Sequence, residues 1–317
     1  MTDHWTRREF GMALGALGAN AMFGRALPGK DPMPFKLGVI TDEITQNFDQ
    51  ALDFIASFSL SYCELRQLWG KNIMSLSQAE LDRAKQIIEK HQMHVSDIAS
   101  PLFKYNLPEM PAKSGEKRDT FMASYTEQDT EALLKKSFDL ARFFGTQKIR
   151  VFSYWRVDDP EKAYSSVRAH LAKAAATAVQ NKMVLLLENE PTCNVATGKE
   201  LGRIIKDINS PGLRAVWDPA NAAAMGEVPY PDGYNHIRGL YQHVHVKDVK
   251  KDPKTGEYKW LPVGSGAVDF LGQFKALIKD GYHGTMSLET HYRRPDGNSV
   301  ESSRESMQGL LKILKTV

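Results

Sequence analysis

Short apolar runs alternate with amphipathic segments from residue 36 almost to the end of the chain, and this alternation restricts the fold more than any other feature. The runs are near-continuous in Val, Ile and Leu, which is typical of parallel strands covered by helices. Helix boundary signals separate the runs, such as Ser77 with Glu80 three residues later, and Gly145 after residues 130–144. Eight strands alternating with about eight helices predict an α/β fold, a single-domain (β/α)₈ barrel over residues 36–315. The predicted strands are Lys36–Thr41, Tyr62–Arg66, Val95–Ala99, Lys148–Phe152, Met183–Glu188, Leu213–Trp217, Gln242–Val246 and Thr285–Leu288.

A doubly wound sheet is the competing α/β architecture, but it needs a glycine-rich phosphate loop after strand one, where this chain has residues 41–44 (TDEI). No clear helix precedes strand seven, and a hairpin-like insert is predicted at residues 250–266 after that strand. The last predicted helix is Ser303–Leu314. Residues 104–128 form a long polar connection after strand three, which is interpreted as a lid, with a plain surface loop as the alternative.

Composition excludes some classes of function. The chain has 317 residues and a formal net charge of only +3, so nothing in its charge favours nucleic acid or an anionic membrane as a partner. Two cysteines, Cys63 and Cys193, do not make a disulfide framework. Cys63 lies within an apolar run and is predicted to be a buried small residue, and a Cys63–Cys193 disulfide is the alternative that export would permit.

The amino terminus has the pattern of an export signal. Arg7 and Arg8 are followed by Glu9-Phe10 and then by a weakly apolar, Gly/Ala-rich run, although the usual Leu-Lys after the Phe is absent. This pattern predicts a twin-arginine-type signal peptide over residues 1–26 and a periplasmic location. The run is too short to span a bilayer, which needs about 20 apolar residues. A cytoplasmic protein with an incidental leader is the alternative.

Four side chains with metal-binding chemistry stand at the ends of four predicted strands: Glu188, Asp218, His245 and Glu289. Strand–helix units of about 30 residues separate them. In a (β/α)₈ barrel the carboxyl ends of the strands face one volume, where chemistry takes place. Two Glu, one Asp and one His form an oxygen-rich set that suits Mn²⁺, Mg²⁺ or Co²⁺, with Zn²⁺ as a further candidate.

Each of these four residues also has an ordinary explanation when it is taken alone. Glu188 and Asp218 could cap the helices that follow, and His245 could be a hydrogen-bonded core histidine. Together they favour a metal site, because carboxylates at a barrel mouth are costly to desolvate unless they are paired or bound to a cation. Strand alternation leaves Glu190 as an alternative ligand to Glu188 and places Lys247 near a substrate oxygen.

The segments LLLENEP, VWDPAN, HVHVKD and MSLETH, with VGSGAVDF between the last two, resemble those of the xylose isomerase-like TIM barrels, a superfamily of sugar phosphate isomerases and epimerases. The amino-terminal segments GVITDEI, CELRQLWGKN and VSDIASPLFK are also similar to a subgroup of it. The resemblance implies one divalent cation held by Glu188, Asp218, His245 and Glu289. It also implies that Glu188 and Glu289 act as the catalytic acid–base pair.

One residue departs from the better-characterised relatives. Asn221 stands three residues after Asp218, where ketose epimerases and the apurinic endonucleases of the superfamily have His. Asn can hydrogen-bond a sugar hydroxyl, but it cannot transfer a proton. The predicted substrate-binding residues are Asn221, Lys247, Arg66, Glu190, His291 and Trp155. For Arg66, a simple ion pair with Glu64 is the alternative interpretation.

The leading functional hypothesis is a divalent-metal-dependent isomerase or epimerase that acts on an unphosphorylated keto-sugar or related carbohydrate through an ene-diolate. A lyase that cleaves 3-keto-glycosides by β-elimination is the first alternative, since the same carbanion could expel a leaving group. A non-catalytic sugar-binding barrel is the second. The sequence leaves open the substrate, the stereocentre and the metal, and it is compatible with a homo-oligomer.

Overall fold

The computed structural model of the chain describes residues 33–115 and 118–317, and the predicted signal peptide over residues 1–26 lies outside them. Eight parallel strands form a closed barrel in which each strand lies beside its neighbours in sequence and the last pairs with the first. The barrel strands are β1 Lys36–Ile40, β2 Tyr62–Leu65, β3 His94–Ala99, β4 Lys148–Val151, β5 Val184–Glu188, β6 Leu213–Trp217, β7 Tyr241–Val246 and β8 Thr285–Leu288.

The closure of the barrel confirms the predicted (β/α)₈ architecture. β1 pairs in parallel with β8 from Lys36 opposite Thr285, and β5 pairs with β6 up to Glu188 opposite Val216. The α-helices are Thr41–Ile44, Phe48–Ser57, Gln78–Lys90, Thr130–Phe144, Pro160–Gln180, Gly198–Ile208, Pro219–Ala224, Tyr234–Ile237, Phe270–Lys279 and Ser299–Leu314. Among the described residues, none of these helices has the length and apolar character needed to cross a membrane.

The helix boundary signals act as the sequence predicts. The Ser77 side chain accepts a hydrogen bond from the Glu80 backbone N–H, and the Glu80 carboxylate accepts one from the Ser77 backbone N–H, which completes a capping box. Gly145 ends the helix Thr130–Phe144 in the left-handed conformation, with φ of 75°. These caps fix the ends of two of the helices that cover the barrel.

Two predictions about the carboxyl-terminal half were wrong. The segment before β7 does contain helical structure, in two short α-helices joined by a turn over Pro229–Gly233, and its prolines and glycines hide the helical period. The last helix begins at Ser299 rather than Ser303, because Asn298 caps it by accepting a hydrogen bond from the Glu301 N–H.

The main apolar core lies inside the barrel and between the barrel and its helices. A separate, smaller cluster of Phe121, Phe152, Trp155 and Cys193 lies in the connections that follow β3, β4 and β5. Cys63 and Cys193 are both buried and free, so the alternative of a disulfide between them was wrong. Burial raises the pKa of both thiols above the ordinary value, as expected of inert buried cysteines.

The insert after β7 is an antiparallel hairpin of Asp248–Lys251 and Tyr258–Leu261. The buried carboxylate of Asp248 accepts backbone hydrogen bonds from Val249, Gly264, Gly266 and Val268, each at 2.9–3.3 Å. A Cβ atom at Gly266 would lie 2.1 Å from Asp248 Oδ1, so only glycine fits there. Asp248 therefore fixes the base of the hairpin beside the barrel mouth.

Asp248→Ala is expected to destabilise the protein by about 2–3 kcal/mol, since it leaves buried N–H groups without their charged acceptor. The measurement is the free energy of unfolding in urea. Asp252→Ala, in the exposed end of the same hairpin, is the control and should cost less than about 1 kcal/mol. Equal losses for the two variants would contradict this role of Asp248.

Candidate metal centre

The four predicted ligands meet at the carboxyl end of the barrel. Glu188 ends β5, Asp218 follows β6, His245 lies on β7 and Glu289 follows β8. These four strands are neighbours in the barrel, and one ligand atom from each residue lies within 4.8 Å of the others. None of the four residues is more than 3% exposed. The spacing pattern in the sequence therefore corresponds to a single buried cluster.

His245 presents one ring nitrogen to the cluster and the other to a further carboxylate. Its Nδ1 lies 3.2 Å from Glu188 Oε1 and 3.5 Å from Glu289 Oε2. Its Nε2 lies 3.2 Å from both carboxylate oxygens of Glu64, on β2 across the barrel. Histidine ligands of metals are commonly oriented by such a carboxylate at the other nitrogen, which also sets the tautomer. Glu64 is thus a candidate orienting residue for His245.

His243 also contacts Glu64 but faces away from the four-residue cluster. Its Nε2 lies 3.0 Å from Glu64 Oε2 and its Nδ1 lies 2.6 Å from Thr285 Oγ1. Although burial raises the pKa of the Glu64 carboxyl, the imidazoles of His245 and His243 outweigh it and hold that pKa well below its usual range. Glu64 is consequently an anion at neutral pH and an acceptor for both rings.

The charges of the cluster fit a divalent cation. Within the described part of the chain, Glu188 Oε2 and Asp218 Oδ2 are buried and accept no hydrogen bond of good geometry, although each has an ion-pair partner, Arg150 at 3.4 Å and Lys247 at 2.9 Å. Burial, with Glu289 and Glu188 nearby, raises the pKa of Asp218 to about 6 even though Lys247 opposes the shift. A bound cation would stabilise these carboxylates as anions, and the donor set of three carboxylates and one imidazole suits a hard or borderline metal ion.

Lys247 already supplies one positive charge to this cluster. Its Nζ lies 2.6 Å from Glu289 Oε2 and 2.9 Å from Asp218 Oδ2, so it bridges two of the four candidate ligands. It also lies 5.5 Å from the ring centre of Trp260, on the hairpin. An ammonium group at this position competes with a metal ion for the same two oxygens. A metal ion bound through those two oxygens would displace the Lys247 ammonium from them.

Arg66 is held by three carboxylates and makes no ion pair with Glu64. It contacts Asp42 through two nitrogens at 2.8 and 3.0 Å, and it also contacts Glu43 and Glu289 Oε1. His291 Nε2 lies 3.5 Å from the same Glu289 oxygen and stacks edge-on against Trp260. Arg66 and His291 thus both position Glu289, a role that the sequence did not indicate for Arg66.

The other predicted substrate-binding residues, Asn221, Glu190 and Trp155, differ in their contacts with the cluster. Asn221 donates its side-chain N–H to Asn189 O at 2.8 Å and approaches Glu188 Oε1 at 3.4 Å. Glu190 accepts hydrogen bonds from Thr192 and lies apart from the four ligands. Trp155 is buried in the small apolar cluster at the mouth. Asn221 alone of these three contacts a candidate ligand.

Three residues near the site were not predicted from the sequence. Arg150, on β4, is fully buried and its Nη1 lies 3.4 Å from Glu188 Oε2. Lys104 and Phe121 come from the long connection after β3. The Phe121 ring lies against both Arg150 and Lys104. One feature of the sequence could have indicated Arg150. It is a charged residue inside an apolar run (KIRVF), and strand alternation directs its side chain into the barrel.

Comparisons with known proteins agree with the fold. The sequence pattern of the xylose isomerase-like TIM barrel family matches residues 52–313, and the chain belongs to this family. It is similar to an Escherichia coli (strain K12) protein named "Putative L-ribulose-5-phosphate 3-epimerase SgbU", with 27% identity over 164 residues. That match covers 50% of this chain and 56% of the relative, so it spans little more than half of the relative's length.

Solved structures of the same fold include enzymes and metal-binding proteins. The IOLI protein with a bound zinc atom has a TM-score of 0.69 and 17% identity, covering 89% of this chain and 99% of its own. The 3-keto-D-glucoside 4-epimerase YcjR from E. coli has a TM-score of 0.64 and 17% identity, and the match covers 89% of this chain and 100% of the YcjR chain. At such identities the likeness shows the fold.

Glu64→Gln is expected to weaken divalent-metal binding by about 10–100-fold, because a neutral amide orients His245 less firmly and makes it a poorer ligand. Competition with a fluorescent chelator measures the affinity. Glu161→Gln, on an exposed helix, is the matched control and should bind metal like the wild type. An unchanged affinity in Glu64→Gln would exclude Glu64 as the residue that orients a ligand.

Proposed function

We propose that this protein is a divalent-metal-dependent sugar isomerase or epimerase whose substrate is a keto-sugar or related carbohydrate. The observation that carries the proposal is the buried cluster in which Glu188 and Glu289 approach His245 Nδ1 from two different strands. Membership of the family supports it, as do relatives named for 3-epimerase and 4-epimerase activities. Mn²⁺, Mg²⁺ and Co²⁺ suit the donor set, and Zn²⁺ is the ion named for one structural relative.

The reaction is a proton transfer at a carbon next to a carbonyl group. A cation held by Glu188, Asp218, His245 and Glu289 would polarise the carbonyl and the adjacent hydroxyl and so acidify the neighbouring C–H. One of the two glutamates removes that proton and leaves an ene-diolate. The other glutamate returns a proton to the opposite face, which inverts the centre without any other change in the sugar.

The surrounding residues assist these two glutamates. Lys247, released from Asp218 and Glu289, is placed to donate a hydrogen bond to a substrate oxygen as negative charge develops on it. Asn221, next to Glu188, holds a sugar hydroxyl but transfers no proton. His291 and Arg66 position Glu289, while Glu190 and Trp155 line the approach to the site.

We also propose that residues 1–26 direct export, so that the enzyme acts in the periplasm, with a cytoplasmic location as the alternative. Export through a twin-arginine route would carry the barrel folded and already loaded with its cation. Cell fractionation of the full chain tests this, with Arg7→Lys/Arg8→Lys as the comparison. Export that does not depend on the paired arginines would contradict the proposal.

Glu289→Gln is expected to keep part of the metal affinity, since an amide oxygen is still a ligand, and to lose about 10²–10⁴-fold in the rate of proton transfer. The readout is deuterium incorporation from D₂O into L-ribulose 5-phosphate and a 3-keto-glucoside, followed by NMR, together with metal content by mass spectrometry. Glu131→Gln, on an exposed surface, is the control with wild-type behaviour in both assays.

The same experiment separates the competing functions. Deuterium in an otherwise intact sugar supports an isomerase or epimerase, whereas release of an aglycone or a second sugar supports the β-eliminating lyase. Sugar binding and deuterium exchange that are both unaffected by complete removal of metal would contradict the proposed function.

A further inference from the structure

Two buried cationic side chains at the barrel mouth, Arg150 and Lys104, lie against aromatic rings. Arg150 is fully buried, and within the described part of the chain none of its three guanidinium nitrogens makes a hydrogen bond. Glu188 Oε2, at 3.4 Å, is an ion-pair partner without hydrogen-bond geometry. A buried guanidinium presents five N–H donors, and burying them without acceptors is unfavourable.

Lys104 approaches the same two aromatic rings as Arg150. It is 6% exposed, and the distance from its Nζ to Glu190 Oε2 is 3.6 Å, too long for a hydrogen bond. Its Nζ is 3.8 Å from the centre of the Phe121 ring and 4.4 Å from that of Phe152. The Arg150 guanidinium is 5.0 and 4.7 Å from the same two centres. Two cations thus converge on one pair of rings.

Phe121 lies in the long connection after β3, 17 residues beyond Lys104 in the sequence. Its backbone, and that of Met122, is in the left-handed region, with φ of 53° and 55°, which is unfavourable for bulky residues. Its carbonyl accepts a hydrogen bond from Asn72 Nδ2, and its ring is 4% exposed. The candidate metal ligands are buried, so a substrate that reaches them must displace side chains that cover them. The Phe121 ring lies against Arg150, and Arg150 in turn contacts Glu188.

We propose that Lys104 and Arg150 form a subsite for an oxyanion of the substrate, a carboxylate or a phosphate group, and that the Phe121 ring occupies this subsite until the substrate displaces it. Guanidinium and ammonium groups bind both anions strongly, and the planar guanidinium can bind either through two hydrogen bonds. The inference rests on the proposed function, and it narrows the substrate class from any keto-sugar to an acidic one.

Calorimetric titration with three ketoses that differ at carbon 6 tests the subsite: D-fructose, D-fructuronate and D-fructose 6-phosphate. At least one acidic ketose should bind roughly tenfold or more tightly than D-fructose. The tighter of the two acids identifies the anion. Arg150→Gln and Lys104→Met should each abolish this preference, while Phe121→Ala should strengthen binding of the acid, because no ring has to be displaced.

Lys173→Met removes an equally positive but exposed side chain and is the control, with wild-type affinities expected. If Arg150→Gln does not fold, Lys104→Met and Phe121→Ala decide the question. Equal affinities for the three ketoses, or no binding of either acid to Phe121→Ala, would overturn the subsite. Binding is measured without turnover, so an acid preference combined with no deuterium exchange would instead count against the proposed function.

Discussion

Electrostatic repulsion among carboxylates is the constraint on which the rest of this site depends. Glu188, Asp218 and Glu289 are brought together by adjacent strands in a space with almost no exposure to water. Carboxylates buried so close to one another must be protonated, paired or bound to a cation. Burial, and then the nearby charges of Glu289 and Glu188, raise the pKa of Asp218 to about 6 against the opposing charge of Lys247. Basic side chains around the cluster compensate its negative charge.

Several cations contribute to that compensation, each from a different strand or connection. Lys247 bridges Asp218 and Glu289, Arg66 contacts Glu289, and Arg150 faces Glu188. Burial alone lowers the pKa of His245, but Glu64 and Glu188 outweigh it and raise that pKa well above the ordinary value. The imidazole is therefore held in its protonated form, and it would have to release that proton for Nδ1 to become a metal ligand. A divalent cation bound in this cluster would replace the charge of Lys247 and the proton of His245.

The sequence predicted the parts of the site that follow from periodicity. Strand alternation and the spacing of about 30 residues were enough to bring Glu188, Asp218, His245 and Glu289 to one end of one barrel. The caps at Ser77 and Gly145 and the strand β6 were likewise predicted correctly, because local signals determine them. The family resemblance added the roles, which spacing alone does not give.

Contacts across the barrel and in the connections could not be predicted in this way. Glu64 and His245 are 181 residues apart, and their contact depends on barrel closure and on side-chain rotamers. The partners of Arg66 are Asp42 and Glu43, from the short helix after β1, and Glu289, after β8, so the proximity of Glu64 in sequence was misleading. Phe121 lies in a connection without periodicity, where no pattern indicates which side chain turns inward.

Anomalous diffraction from crystals grown with Mn²⁺ tests the central claim most directly. The account predicts one Mn²⁺ peak at about 2–2.5 Å from Glu188, Asp218, Glu289 and His245 Nδ1, with Lys247 Nζ displaced from Asp218 and Glu289. A cluster without Mn²⁺ at saturating concentration, with Lys247 still bridging Asp218 and Glu289, would contradict it.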